Sequence, residues 1–124
     1  MLPSTDQSFT LARDGKQPAH SVTLKMLIDT GADHTSVVED EIVRFGLLPR
    51  SFVQTRSVGG VTQHRVYELS VRLGEIQAFD PIMITARSKT LFQGTPYQGL
   101  LGRDVLDRGL FIYNGASSQC TLAF

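Results

Sequence analysis

The sequence predicts an all-β domain, built as a mostly antiparallel sheet with two short helices, and three observations predict it. Apolar residues alternate with polar ones in Val22, Leu24 and Met26 against Thr23 and Lys25, the pattern of a strand with one buried face. The alternation returns in Tyr67, Leu69, Val71 and Leu73 against Glu68, Ser70 and Arg72. Turn formers punctuate the chain at Asp14-Gly15, Gly59-Gly60, Gly74 and Asn114-Gly115, as expected where antiparallel neighbours are joined.

The elements follow in order. Residues 1–19 read as an N-terminal extension or an edge strand, with the 8–13 segment running into Asp14-Gly15. Ser36-Val37-Val38-Glu39 has capping-box spacing and opens a short helix from Glu39 to Phe45, with acids in its first turn and Gly46 just past its end. Phe52 to Tyr67 forms a hairpin with Gly59-Gly60 at its tip. Pro81 inside the apolar 76–84 stretch marks a sheet edge or a bulge. Residues 86–98, with Gly94 and Pro96, read as a loop, and Arg103 to Arg108 as a second helix of at most two turns. Asn114-Gly115 joins a closing strand pair. In its last strand, Gln119 to Phe124, the residues Cys120, Leu122 and Phe124 share one face, and the strand pairs either with its own chain or with a neighbour.

At 124 residues the chain is a single domain, 1–124, short for an enzyme that encloses its substrate alone. It therefore works at an open surface or oligomerises. A 41% hydrophobic content excludes disordered, collagen-like and coiled-coil classes. Charge balances at 12 basic and 12 acidic residues, and Lys16, Lys25 and Lys89 are the only lysines, so no nucleic-acid footprint is present. The acids between 29 and 41 and the arginines between 44 and 72 read as solvated faces. Cys120 is the only cysteine, which excludes an intrachain disulfide framework and multi-cysteine zinc sites and leaves a buried free thiol as its expected state. No apolar run has the length of a membrane segment, so a soluble, cytoplasmic protein is expected, although an excised domain would look the same.

Several chemistries fall away by inspection. His20, His34 and His64 lack ligand spacing, so no metal is expected. Gly59-Gly60 lacks the lysine and hydroxyl residue of a phosphate loop, no nucleophile turn surrounds a serine or cysteine, and no cofactor is expected. No internal repeat divides the chain into two lobes.

The informative stretch is Met26-Leu27-Ile28-Asp29-Thr30-Gly31-Ala32-Asp33, where an apolar strand runs into a carboxylate as the alternation stops. A carboxylate at a buried strand end needs a partner or a shifted pKa. Gly31 permits close backbone approach and brings amide donors near the acid. Asp-Thr-Gly alone is weak, since an ordinary strand-ending turn has the same residues. About seventy residues later stands Gly99-Leu100-Leu101-Gly102-Arg103-Asp104-Val105-Leu106, and the pair is far more specific than either part.

With both in place, from about Val22 to the C-terminus, the chain resembles the retropepsin-like aspartic proteases, in particular the bacterial single-domain relatives of retroviral protease. The resemblance implies a closed barrel acting as a homodimer, each subunit giving one Asp-Thr-Gly loop to a site on the two-fold axis. It implies an aspartic endopeptidase in which two Asp29 carboxylates share a proton and activate water against a peptide bond of an extended substrate, passing through a neutral gem-diol. Asp29 is then catalytic and Thr30, Gly31 and Ala32 form its loop, the Thr30 hydroxyl bonding to the partner's loop. Ala32 stands where two-lobed relatives often have a hydroxyl donor, which implies a less acidic working range here. Asp33, Leu101, Gly102 and Arg103 support the site, with Asp33 and Arg103 either an ion pair or two solvated charges. Val58, Gly59, Gly60 and Val61 form a flap, or only a tight hairpin tip, and His34 lines a substrate pocket or lies on an ordinary surface loop. The chain departs from retroviral protease in its flap, in residues 1–19, which are either integral or a removable segment, and in the 86–98 loop. The competing readings are a non-catalytic retropepsin-fold module for peptide binding or dimerisation, and a small β-barrel with an unrelated binding function.

Overall fold

A computed structural model of the chain describes residues 2–3, 6–12, 21–73 and 77–124. The strands are β1 (Leu2–Pro3), β2 (Asp6–Ala12), β3 (Ser21–Ile28), β4 (Ser36–Val38), β5 (Ser51–Ser57), β6 (Gly60–Leu73), β7 (Gln77–Arg87), β8 (Gly99–Leu101), β9 (Leu110–Asn114) and β10 (Gln119–Ala123). Two one-turn helices interrupt them, α1 (Glu39–Ile42) and α2 (Arg103–Leu106). The expected turns at Asp14-Gly15 and Gly74, and His20, lie outside the described residues.

The buried face follows the alternation. Leu24 and Met26 are buried while Thr23 and Lys25 are exposed, and Tyr67, Leu69, Val71 and Leu73 are buried between exposed Glu68 and Arg72. Ile82, Ile84, Leu101, Val105 and Leu122 complete one core, each such side chain contributing about 1.5–3 kcal/mol by leaving water.

The fold is mostly β with two short helices, as expected, and its strands fall into two sheets. One is three-stranded, in the order β1-β10-β9, and the other seven-stranded, in the order β2-β3-β8-β4-β7-β6-β5, with an additional pairing of β2 to β6. Residues 6–12 thus pair on both sides, with β3 and β6, so β2 is not an edge strand. Strand β10 pairs with β1 and β9 of its own chain. Its Cys120 and Leu122 are buried as expected, but Phe124 is exposed.

Pairing is mostly antiparallel, with β3–β8 and β4–β7 parallel. These exceptions lie where the two motifs meet. Strand β8 is only three residues long and sits between β3 and β4, with Ile28 opposite Leu101 and Ser36 opposite Leu100. Both edges of β8 are paired, with Leu101 buried in the core and Leu100 half-buried on the opposite face.

The capping box at Ser36 is overturned. Ser36 is a buried strand residue with ladder partners Thr85 and Leu100, and two ladders outcompete one side-chain cap. Val38 is the N-cap of α1 and makes no side-chain cap bond. The helical span itself is right, since a 3₁₀ turn at Val43–Phe45 continues α1 to a left-handed Gly46 at φ 65°. Residues 86–98 are less irregular than expected, because β7 runs to Arg87 and a 3₁₀ turn, Lys89–Phe92, buries Phe92. Pro81 lies at the irregularity expected of it: Leu69 pairs with Ile82 but Val71 pairs with Phe79, leaving an extra residue on β7.

Gly99 marks the tightest point of this crossing. A Cβ there would stand 2.5 Å from the Ser36 carbonyl oxygen and against the Met26 sulfur. The sulfur can move, but the carbonyl belongs to the sheet. Gly99→Ala is predicted to lower unfolding free energy by about 1–3 kcal/mol in urea denaturation. Gly115→Ala, whose Cβ would meet only Tyr113 at 3.5 Å, should stay within about 0.5 kcal/mol of wild type.

Candidate active site

Strand β3 delivers Asp29 where the ladder ends. The Asp29 amide still bonds to the Leu101 carbonyl at 3.0 Å, which fixes its backbone beside β8. Its Oδ1 accepts from the Gly31 amide at 2.9 Å. The turn closes through the Ala32 amide donating to the Asp29 carbonyl at 3.2 Å. The carboxylate is thus half-buried and oriented by its own loop, with Oδ2 outside that bond.

Residues 102–104 hold the same loop from the other side. The Arg103 amide donates to the Ala32 carbonyl at 2.8 Å. Its guanidinium donates to the Thr30 carbonyl at 3.1 Å and pairs with the Asp33 carboxylate. Both partners of that ion pair are substantially exposed, 46% and 70%, so it adds little stability and acts by fixing the loop's direction. Gly102 is obligatory by packing, because a Cβ would meet the His34 carbonyl carbon at 2.6 Å and its oxygen at 2.7 Å.

Asp104 and Thr35 form a buried knot that the sequence reading missed. The Thr35 hydroxyl donates to Asp104 Oδ1 at 2.7 Å and accepts from the Gly102 amide at 3.1 Å, while the Thr35 amide donates to Asp104 Oδ2 at 3.0 Å. The Thr85 amide completes it by donating to the Thr35 carbonyl. Thr35 is fully buried. The available signal was an acid in the first turn of a helix that follows a glycine, which read only as part of the motif.

A cavity of about 510 Å³ opens beside the carboxylate, lined by Asp29, Gly31, Ala32, Asp33 and His34 from the loop and by Val53, Gln54, Thr55 and Arg56 from β5, with Ser36, Thr85, Arg87 and Leu100. His34 therefore lies at the cavity wall. The β5–β6 hairpin turns at Val58 and Gly59, and Val58 is fully exposed. Val58, Gly59, Gly60 and Val61 are not among the lining residues; the hairpin contributes Val53 to Arg56 of β5 instead. Leu101 and Gly102 are buried behind the loop. Thr30 is exposed and borders a separate cavity of about 410 Å³ with Arg103, Leu106, Asp107, Gly109 and Phe111. Among the described residues no cluster of histidine, cysteine or acidic side chains is placed to hold a metal ion, and no helix is long and apolar enough to cross a membrane.

The Asp-Thr-Gly turn and the Gly-Arg-Asp segment that braces it both fall within residues 14–105, which match the sequence profile of a family described as aspartyl protease. The chain belongs to this family, and its fold is retropepsin-like. Among solved structures it is similar to a retropepsin-like aspartic protease from Rickettsia conorii, with TM-score 0.60, 18% identity and coverage of 98% of this chain and 88% of that one. It is also similar to simian foamy virus protease (TM-score 0.55, 18% identity, coverage 82% and 91%). The protease of EIAV in complex with an inhibitor gives 0.55, 16%, 83% and 85% on the same measures. No curated protein matches the chain.

The knot generates a prediction. Thr35→Val keeps the shape but leaves the Gly102 amide without its acceptor and removes one donor to Asp104. Unfolding free energy should fall by about 1–3 kcal/mol in chemical denaturation, and Thr35→Ser, which keeps the hydroxyl, should recover most of the loss.

Proposed function

We propose that the protein is an aspartic endopeptidase that works as a homodimer, with Asp29 of each subunit meeting across a two-fold axis. The observation that carries this reading is the Asp29 carboxylate, held by the Gly31 amide at 2.9 Å at the wall of a cavity large enough for peptide side chains. One chain supplies one such carboxylate, whereas water activation between carboxylates needs two in unlike protonation states. A second copy supplies the other. An exposed Thr30 next to Asp29, and a β9 edge strand with exposed Leu110, Ile112 and Tyr113, support a face that receives it.

Two carboxylates in contact do not both ionise at moderate pH, so the pair holds one proton and titrates as a unit. The ionised member takes a proton from the bound water as its oxygen attacks the peptide carbonyl carbon. The protonated member gives its proton to the carbonyl oxygen, leaving a neutral gem-diol. Collapse of the gem-diol breaks the C–N bond, with a proton passing to the leaving nitrogen. Arg103, Asp33 and Thr35 keep the loop in place, and the β5–β6 hairpin acts as the flap, covering substrate with Val53 to Arg56.

Wild-type protein at high concentration is expected to cleave unstructured polypeptide with a bell-shaped dependence on pH between about 4 and 7, and Asp29→Asn to lose at least about 10²-fold in rate. Dilution should reduce the rate per subunit as the dimer dissociates. Full activity in Asp29→Asn would contradict the mechanism. Wild type that binds peptides without cleaving them would favour the non-catalytic module.

A further inference from the structure

The cavity beside Asp29 is lined by two acids, Asp29 and Asp33, and by two arginines, Arg56 and Arg87. Arg44, Arg50, Arg65 and Arg103 each pair with a carboxylate, of Glu41, Glu68, Glu39 and Asp33 respectively. Arg56 and Arg87 pair with no described carboxylate, and both line the same cavity as Asp29. The nearby acids are already engaged: Asp33 by Arg103, and Glu39 by Arg65 at 3.1 and 3.2 Å and by the Tyr67 hydroxyl at 3.4 Å. Asp29 is turned onto the Gly31 amide.

Arg87 ends β7 and is half-buried, and it also borders the adjoining cavity of about 620 Å³ that contains His64. Its charge is felt there. Burial first and then the Arg87 guanidinium hold the His64 imidazole below its usual pKa, with Glu39 opposing. Arg56 projects from β5, the last strand of the seven-stranded sheet. Both arginines line the Asp29 cavity, and with Asp33 held by Arg103 their guanidiniums are open to a further carboxylate.

An extended peptide lying between β5 and the loop presents alternate side chains to the two walls. A glutamate or aspartate carboxylate reaching the arginines gains charge-assisted, fork-shaped hydrogen bonds that an amide of the same shape does not. We propose that Arg56 and Arg87 form a subsite for an acidic side chain of the substrate, so that the enzyme prefers polypeptide with a glutamate or aspartate at one position near the scissile bond. This rests on the endopeptidase reading for its substrate and deepens it. Arg56 and Arg87 are specificity-determining residues that touch substrate, distinct from the groups that activate water.

The test uses pairs of short fluorescein-labelled peptides identical except for one glutamate or glutamine, scanned through every position of a sequence the wild type cleaves. At one position glutamate should raise kcat/KM over glutamine by about tenfold, and the ratio should shrink as sodium chloride is added. Arg56→Gln or Arg87→Gln should lower that ratio, which is taken within each variant so that any change in its overall cleavage rate cancels. The same peptide pairs are also titrated onto Asp29→Asn by fluorescence anisotropy, which reads the subsite without turnover. Equal behaviour of glutamate and glutamine at every position in both measurements overturns the proposal, as does a preference that survives in both arginine variants. If no peptide is cleaved, randomised pairs serve in the anisotropy arm. Glutamate-selective binding without cleavage by wild type sinks the hydrolytic reading while supporting the subsite.

Discussion

The hydrogen bonds between residues 29–35 and residues 101–104 are the constraint on which the rest of the structure depends. The loop that carries Asp29 has no ladder of its own, and α2 is a single turn, far too short to hold its shape alone. Each supplies what the other lacks. Thr35 satisfies both oxygens of Asp104 at the start of α2, the Gly102 amide returns a bond to Thr35, and Ala32 accepts from Arg103. The exchange leaves few orphan backbone groups in an otherwise irregular region. It also requires an approach so close that a Cβ at Gly102 would run into the backbone of His34 and Ala32.

This arrangement explains how a small domain can place a carboxylate accurately. Asp29 follows a core strand whose neighbour β8 is sandwiched between β3 and β4, so its backbone is fixed by the sheet, and its side chain by one amide. The exposed Asp33–Arg103 pair aims the loop without adding much stability. The fully buried Thr35 hydroxyl carries more weight, because its loss strands buried partners. In the proposed account, the same loop meets its copy, so rigidity in one chain becomes registration between two carboxylates.

Much of this was legible in residues 22–106 because the signals are local and redundant. The alternation at 22–26 and 67–73 found the buried faces, and two separated motifs found the loop and its brace. What failed has a physical reason in each case. Ser36 carries cap chemistry, but β7 and β8 claim it as a strand residue. The parallel pairings are invisible to a period-two pattern, which reports a buried face and not a direction. The Thr35–Asp104 knot joins residues 69 apart in sequence, and neither has a local pattern. Arg56 read as solvated charge and Arg87 carried no signal, because the cavity both line forms only when residues distant in sequence come together.

In the proposed dimer a single active site is built from Asp29 of two chains. Mixing wild type with Asp29→Asn at fixed total protein, after allowing subunits to exchange, tests it directly. If both carboxylates are needed, mixed dimers are dead and activity falls as the square of the wild-type fraction. A linear fall would show that each chain works with its own Asp29 alone, and would contradict the account.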